Sequence, residues 1–227
     1  MSVRNKKAAD SAARDNGRHM KGNEKRMRIN TVIFDIGGVL VDFGREHFFE
    51  QFGHSPEMCM RLYESTVRSP YWKEFDLGVL ADEEVIDLFA AYAPEYEGEI
   101  REAMKCVHGV VRRMDAAIPW IREVQASGRR ALYLSNYSMK VARDNADAMD
   151  FLPYLDGGIL SCDYHVIKPD HAFYRILIDK YDLDPARCVF LDDLEDNIAA
   201  AKELGINTIL VRDHEQAAAD LKRMLED

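Results

Sequence analysis

The sequence predicts an α/β protein with a mostly parallel sheet, and three observations predict it. Short apolar runs end in polar residues at Asp35, Ser135 and Asp192. From Asp115 onward such runs alternate with amphipathic segments of helix length, the pattern of right-handed crossovers covering both faces of a sheet. Between residues 44 and 115 no β-alternating run occurs, so a helical insertion follows the first strand.

The first strand covers about Thr31 to Asp35, an apolar run leading straight into Ile36-Gly37-Gly38-Val39-Leu40. A helix starts at Pro56. A second opens at Ala81-Asp82-Glu83-Glu84, with acids in its first turn and Val85, Phe89 and Tyr92 on one face. A third is predicted from Glu99 to Arg113 on the spacing of Ile100, Met104, Val107 and Val111. The α/β part then begins with a helix through Trp120, Ile121 and Val124 that stops near Gly128. Strand 131–135, a helix through Val141, a short strand near Ile159-Leu160 and a helix from about Asp170 to Tyr181 follow. Strand 188–192, a helix from about Glu195 to Leu204, strand 208–211 and a final helix from Glu215 complete the order. The expected organisation is a basic tail over 1–29, an insertion over 44–114, and a Rossmann-like core from 30–43 and 115–227.

Composition narrows the function. At 227 residues, 47% hydrophobic and 31% charged, the chain suits one globular domain with an insertion. Cys59, Cys106, Cys162 and Cys188 are scattered without a CxxC pair, which argues against a disulfide framework or zinc site. No apolar stretch reaches membrane-spanning length and no signal-peptide core follows the N-terminus. A cytoplasmic protein with no membrane partner is the expectation. Residues 1–29 hold nine Lys or Arg against three acids, whereas the whole chain carries −10. The tail lacks interleaved aromatics for base stacking and the body is acidic, which argues against nucleic acid as a partner.

The polar strand ends carry the chemistry. In open parallel sheets the strand ends line the ligand crevice. Asp35, Ser135-Asn136 and Asp192-Asp193 fall there, with Lys168-Pro169 in a nearby loop. Singly each is a common cap or loop residue. Together they suit phosphoryl transfer. A carboxylate attacks phosphorus to form an aspartyl-phosphate, carboxylates hold a hard divalent cation, and a lysine and a hydroxyl steady the phosphoryl oxygens. His165 and His171 flank Lys168, and Arg45 and His47 follow the first motif. Their residue types alone assign them no role.

Asp35-Ile36-Gly37-Gly38-Val39, Ser135-Asn136, Lys168-Pro169 and Asp192-Asp193-Leu194-Glu195-Asp196-Asn197 resemble the four signature motifs of the haloacid dehalogenase-like hydrolases, in order, over about residues 30 to 213. The helical insertion is similar to the small α-helical cap of the first subfamily. The stretch from Tyr71 to Gly78, followed by Ala81-Asp82-Glu83-Glu84, looks like the cap of sugar-phosphate phosphatases near the α-glucose-1-phosphate phosphatases. The resemblance implies a Mg²⁺-dependent phosphatase for a small phosphorylated metabolite. Asp35 would be nucleophile and metal ligand, and the Gly37 carbonyl a second ligand. Asp193 would bind the metal directly, with Asp192 beside it as ligand or through water. Ser135, the Asn136 backbone and Lys168 would hold the phosphoryl group, and Asn197 would steady Lys168 or the metal shell. Other readings are a non-catalytic binder of phosphorylated ligands and a 2-haloacid dehalogenase. The carboxylate pair disfavours the dehalogenase, because it would repel a haloacid.

One position departs from the family pattern. Phosphatases of this family usually carry a second Asp two residues after the nucleophile, and here that position is Gly37. Losing a positioned general acid costs about a hundredfold to ten-thousandfold in rate. Either the enzyme is slow, its leaving group needs little protonation, or another group or water substitutes.

Overall fold

The computed structural model describes residues 28–43 and 47–226. Nearly all of the basic tail lies outside them, as does Arg45. In chain order, β1 (Thr31–Phe34) leads through a glycine turn to β2 (Val41–Phe43). Five helices follow: α1 (His47–Glu50), α2 (Pro56–Ser65), α3 (Trp72–Leu77), α4 (Asp82–Tyr92) and α5 (Glu97–Met104). Then come β3 (Val111–Arg113), α6 (Ala117–Ala126), β4 (Arg130–Ser135), α7 (Met139–Asp144), β5 (Gly157–Leu160) and α8 (His171–Tyr181). β6 (Cys188–Asp192), α9 (Glu195–Glu203), β7 (Asn207–Leu210) and α10 (His214–Glu226) end the order.

The main sheet is parallel with strand order β5-β4-β1-β6-β7. β1 is central, Thr31 pairing with Arg130 on one side and Cys188 on the other. Alternate residues feed two apolar layers, as the two-residue period of a strand requires. Val32 and Phe34 join Trp120, Ile121 and Leu221 on the face of α6 and α10. Ile33 joins Phe173, Leu177 and Ile198 on the face of α8 and α9. Phe34 meets Trp120 edge-on with ring centroids 5.1 Å apart. Each such side chain removed from water contributes about 1.5–3 kcal/mol. A sheet buried on both faces explains why its strands read as unbroken apolar runs.

One prediction fails here. Helix α5 ends at Met104 rather than running to Arg113, and Val111–Arg113 is a strand, paired antiparallel with Val41–Phe43. Val107, Val110 and Val111 are all buried, so their spacing imitates a helical face although the chain has left the helix. Gly109 between them takes φ +88°, a left-handed conformation that helices exclude. Three-residue strands are too short to show alternation. The β2–β3 ribbon brackets the residues that supply α1 to α5.

Helix ends follow their local sequence. Ser55 caps α2 by accepting from Met58 N at 3.3 Å, and Asp170 caps α8 by accepting from Ala172 N at 2.8 Å. At α4 the Glu84 carboxylate accepts from Ala81 N at 2.8 Å, half of a capping box. No helix among the described residues is long and apolar enough to cross a membrane.

Candidate active site

Asp35 is the first residue past β1, and its N–H still donates to Leu191 O at 2.8 Å. That ladder bond fixes the backbone, while the buried carboxylate sits at the strand's end. Three donors converge on its Oδ1: Ile36 N at 2.7 Å, Ser135 Oγ at 2.6 Å and Lys168 Nζ at 2.8 Å. Oδ2 has no hydrogen-bond partner among the described residues.

The other strand ends supply the remaining groups. Ser135 ends β4, beside β1. Asp192 ends β6 on the other side and is fully buried. Its Oδ2 accepts from Lys168 Nζ at 2.7 Å and Asn197 Nδ2 at 3.0 Å. Its Oδ1 accepts from Leu194 N at 2.8 Å and Asn197 Nδ2 at 3.0 Å. Asn197 lies in the first turn of α9 and is held in turn by Tyr174, whose hydroxyl donates to Asn197 O at 2.9 Å. The Asn136 side chain is engaged within the protein. It clamps the backbone of Lys168, accepting from Lys168 N at 2.7 Å and donating to Lys168 O at 3.0 Å.

Asp193 lies over the glycine turn. Gly38 takes φ +70°, and a Cβ there would fall 2.5 Å from Asp193 Oδ2. The position therefore needs both the left-handed backbone and the missing side chain. Asp35, Asp192 and Asp193 each offer an oxygen, all within 4.8 Å of one another. Three carboxylates against one ammonium leave an anionic site.

Burial and the neighbouring charges together set the ionisation of these groups. Burial raises the Asp35 carboxyl from 3.8 to about 7; Lys168 and Ser135 oppose the rise and the Asp192 charge adds to it. Burial and then Asp192 raise Asp193. Burial by itself would lower Lys168, but Asp35 and Asp192 outweigh it and raise the ammonium pKa. Hard oxygen donors with excess negative charge fit a small divalent cation.

These groups open onto a cleft of about 360 Å³, walled on the sheet side by Asp35, Lys168 and Asp193 and on the helical side by Tyr63, Trp72 and Asp76. Asp76 is the residue that motif reading missed. It shares one face of α3 with the buried Trp72 and Phe75, an acid at i+4 from an apolar residue, and that placement was the available signal. Burial and then the Asp35 charge raise its carboxyl from 3.8 to about 7.

The histidines lie elsewhere. His165 Nδ1 bonds Leu77 O at 2.9 Å, His171 Nε2 pairs with Glu203 at 3.0 Å, and the exposed His47 pairs with Glu50 at 3.1 Å. Among the described residues, none of the three forms a hydrogen bond or ion pair with Asp35, Lys168 or the acidic cluster.

The parallel α/β sheet thus carries a buried acid–lysine–acid set where its strands end. A sequence profile of haloacid dehalogenase-like hydrolases matches residues 29–205, and the chain belongs to that family. Pig bifunctional epoxide hydrolase 2 (Sus scrofa) is 36% identical over 72 residues, 32% of this chain and 13% of its own. Acyl-CoA dehydrogenase family member 10 of Mus musculus is 25% identical over 221 residues, 92% of this chain and 21% of its own. The match therefore spans only 13% and 21% of the length of these two relatives. Flavin mononucleotide hydrolase 1 of Arabidopsis thaliana is 21% identical over 197 residues, covering 87% of this chain and 78% of its own.

Among solved structures, a family enzyme of Bacteroides thetaiotaomicron in complex with magnesium and inorganic phosphate superposes with TM-score 0.58 at 19% identity, over 80% of this chain and 93% of its own. The L-2-haloacid dehalogenase of Xanthobacter autotrophicus with chloropropionic acid covalently bound gives 0.61 at 16% identity, over 84% and 81%. At such identities the likeness is one of fold.

Proposed function

We propose that the protein is a Mg²⁺-dependent phosphatase that hydrolyses a small phosphorylated metabolite through an aspartyl-phosphate on Asp35. The observation that carries this reading is the convergence of Ser135 and Lys168 on Oδ1 of Asp35 beside a three-carboxylate cluster. Oδ1 is held by donors and Oδ2 is left for attack. Asp35, Asp193 and the Gly37 carbonyl would hold Mg²⁺, which when bound offsets the repulsion between phosphate and carboxylate. Asp192 has its lone pairs engaged by Lys168, Asn197 and Leu194 N. Its role is to hold Lys168, with any contact to the metal made through water.

Lys168 and Ser135 transfer their hydrogen bonds to phosphoryl oxygens as Oδ2 meets phosphorus. The Asn136 clamp fixes the lysine backbone from which Nζ reaches. The relative named as a flavin mononucleotide hydrolase and the neighbour holding magnesium and phosphate support a phosphate monoester as substrate. The resemblance of Tyr71 to Gly78 to sugar-phosphate phosphatases favours a sugar phosphate.

The dehalogenase neighbour motivates the rival reading, in which Asp35 displaces halide from carbon. An acidic cluster beside Asp35 would repel the carboxylate of a haloacid, so phosphate with a cation is preferred. Phosphate release from a panel of phosphorylated metabolites, with Mg²⁺ and with EDTA, tests the assignment. Metal-dependent release is expected. Chloride release from 2-chloropropionate without phosphate release would overturn it, as would binding of phosphorylated ligands without turnover.

A further inference from the structure

The phosphatase reading leaves one task without a group: the leaving oxygen needs a proton as its bond to phosphorus breaks. Gly37, two residues after Asp35, has none to give. The helical wall of the same cleft carries a carboxyl with no assigned task. Asp76 lines the cleft with Asp35, Lys168 and Gly37, and its carboxylate has no hydrogen-bond or ion-pair partner among the described residues. Asp76 is half-buried, so its carboxyl is partly desolvated, which penalises the ionised form, while its oxygens stay open to the cleft.

Asp76 is held by the core. Ser161 Oγ, just past β5, donates to Asp76 O at 2.6 Å and accepts from Tyr137 N at 3.0 Å. His165 anchors the next carbonyl, that of Leu77. Gly78, with φ +63°, lets the chain pass Cys162 so closely that a Cβ would fall 2.9 Å from the Cys162 carbonyl oxygen. These contacts tie Asp76 to the loops that follow β4 and β5, next to Ser135 and Asn136. The buried Tyr137 hydroxyl also has no hydrogen-bond partner among the described residues. Burial raises the Tyr137 pKa, and the charges of Asp76 and then Asp35 raise it further, which sets the phenol close to both acids. Of these two groups only Asp76 lines the cleft, where its unpartnered carboxyl faces an oxygen that the protein does not itself supply.

We propose that Asp76 is the proton carrier of the reaction, in the task that Gly37 cannot perform. In the first step Asp35 Oδ2 bonds to phosphorus, the ester P–O bond breaks, and the Asp76 carboxyl gives its proton to the leaving alkoxide oxygen. In the second, water attacks phosphorus, the P–Oδ2 bond breaks, and the Asp76 carboxylate takes a proton from that water. Ester and water have become alcohol and phosphate, and both acids return to their starting state. Burial and then the Asp35 charge push the Asp76 carboxyl up, the direction that favours a proton donor.

This inference rests on the phosphatase reading, and a leaving-group series separates the two. Rates with Mg²⁺ are compared for 4-nitrophenyl phosphate, phenyl phosphate and an alkyl phosphate, in the unsubstituted protein and in Asp76→Asn, with melting curves to confirm folding. The nitrophenolate leaves without help. Asp76→Asn should lose about a hundredfold or more on the alkyl ester and at least about tenfold less on the nitrophenyl ester. Gly37→Asp added to Asp76→Asn should recover alkyl phosphate turnover. That substitution is feasible, since Gly37 is not left-handed and its Cβ would lie 3.4 Å from the Phe43 ring. Equal losses on all three esters, or none, would overturn the role of Asp76 while leaving the phosphatase standing. No phosphate release by the unsubstituted protein from any ester would overturn both.

Discussion

Lys168 places its ammonium 2.8 Å from Oδ1 of Asp35 inside the protein, and shares it with Asp192 at 2.7 Å. Removing one partner of a buried ion pair costs about 3–5 kcal/mol, because the other charge is left unpaired. Lys168→Met should therefore lower stability by about 3 kcal/mol or more in denaturant unfolding. Adding Asp192→Asn should recover part of that loss, since the two sites are coupled. Additive losses in the double variant would show that the pair does not act as a unit.

Asp35→Asn keeps the size of the side chain and removes the nucleophile. Metal-dependent phosphate release should fall by more than about a thousandfold, with the secondary structure unchanged by circular dichroism. Residual turnover within tenfold of the unsubstituted protein would move the nucleophile elsewhere.

Asp193→Asn removes an oxygen charge from the cluster above Gly38 without disturbing the Lys168 pair. The Mg²⁺ concentration at half-maximal rate should rise at least about tenfold, a change of 1.4 kcal/mol in metal affinity. A Mg²⁺ titration that superposes on the original would exclude Asp193 as a ligand.

Stability without metal should fall as pH rises. Asp35 is raised from 3.8 to about 7, so the folded chain binds this proton more tightly than the unfolded chain. Its contribution is complete below about 3.8 and is lost as pH climbs through about 7. Asp76 and Asp193 shift the same way. In EDTA the melting temperature should therefore drop between about pH 5 and 8, and Mg²⁺ should restore more of it at the upper end. Equal Mg²⁺ effects at both pH values would show that a cation does not relieve these carboxylates.

The strand ends were legible in the sequence because a doubly covered sheet writes its strands as apolar runs, and a charged residue ending such a run stands out. Asp35, Ser135 and Asp192 were found in that way, and the structure brings them around Lys168. The roles within the set were less legible. Asn136 spends its side chain on the Lys168 backbone, a contact across 32 residues that no local pattern announces. The β2–β3 ribbon was missed because three residues cannot display a period. Asp76 was missed because its meaning comes from where α3 is pinned against the core. Only Ser161, His165 and Gly78 reveal that, and each is ordinary by itself.

The central place of β1 bears on how the protein comes into being. Its strand is complete by Phe34, yet its two neighbours begin only at Arg130 and Cys188. During synthesis the N-terminal strand must wait, unpaired, for most of the chain to emerge. Pairings so distant in sequence close large loops and slow the search for the native state. The helices from α1 to α5 are built from local contacts and can form earlier. The site thus assembles late: a nascent chain that has delivered Asp35 but not yet Lys168 and Asp192 carries a lone carboxylate, and the buried set closes only once both have emerged.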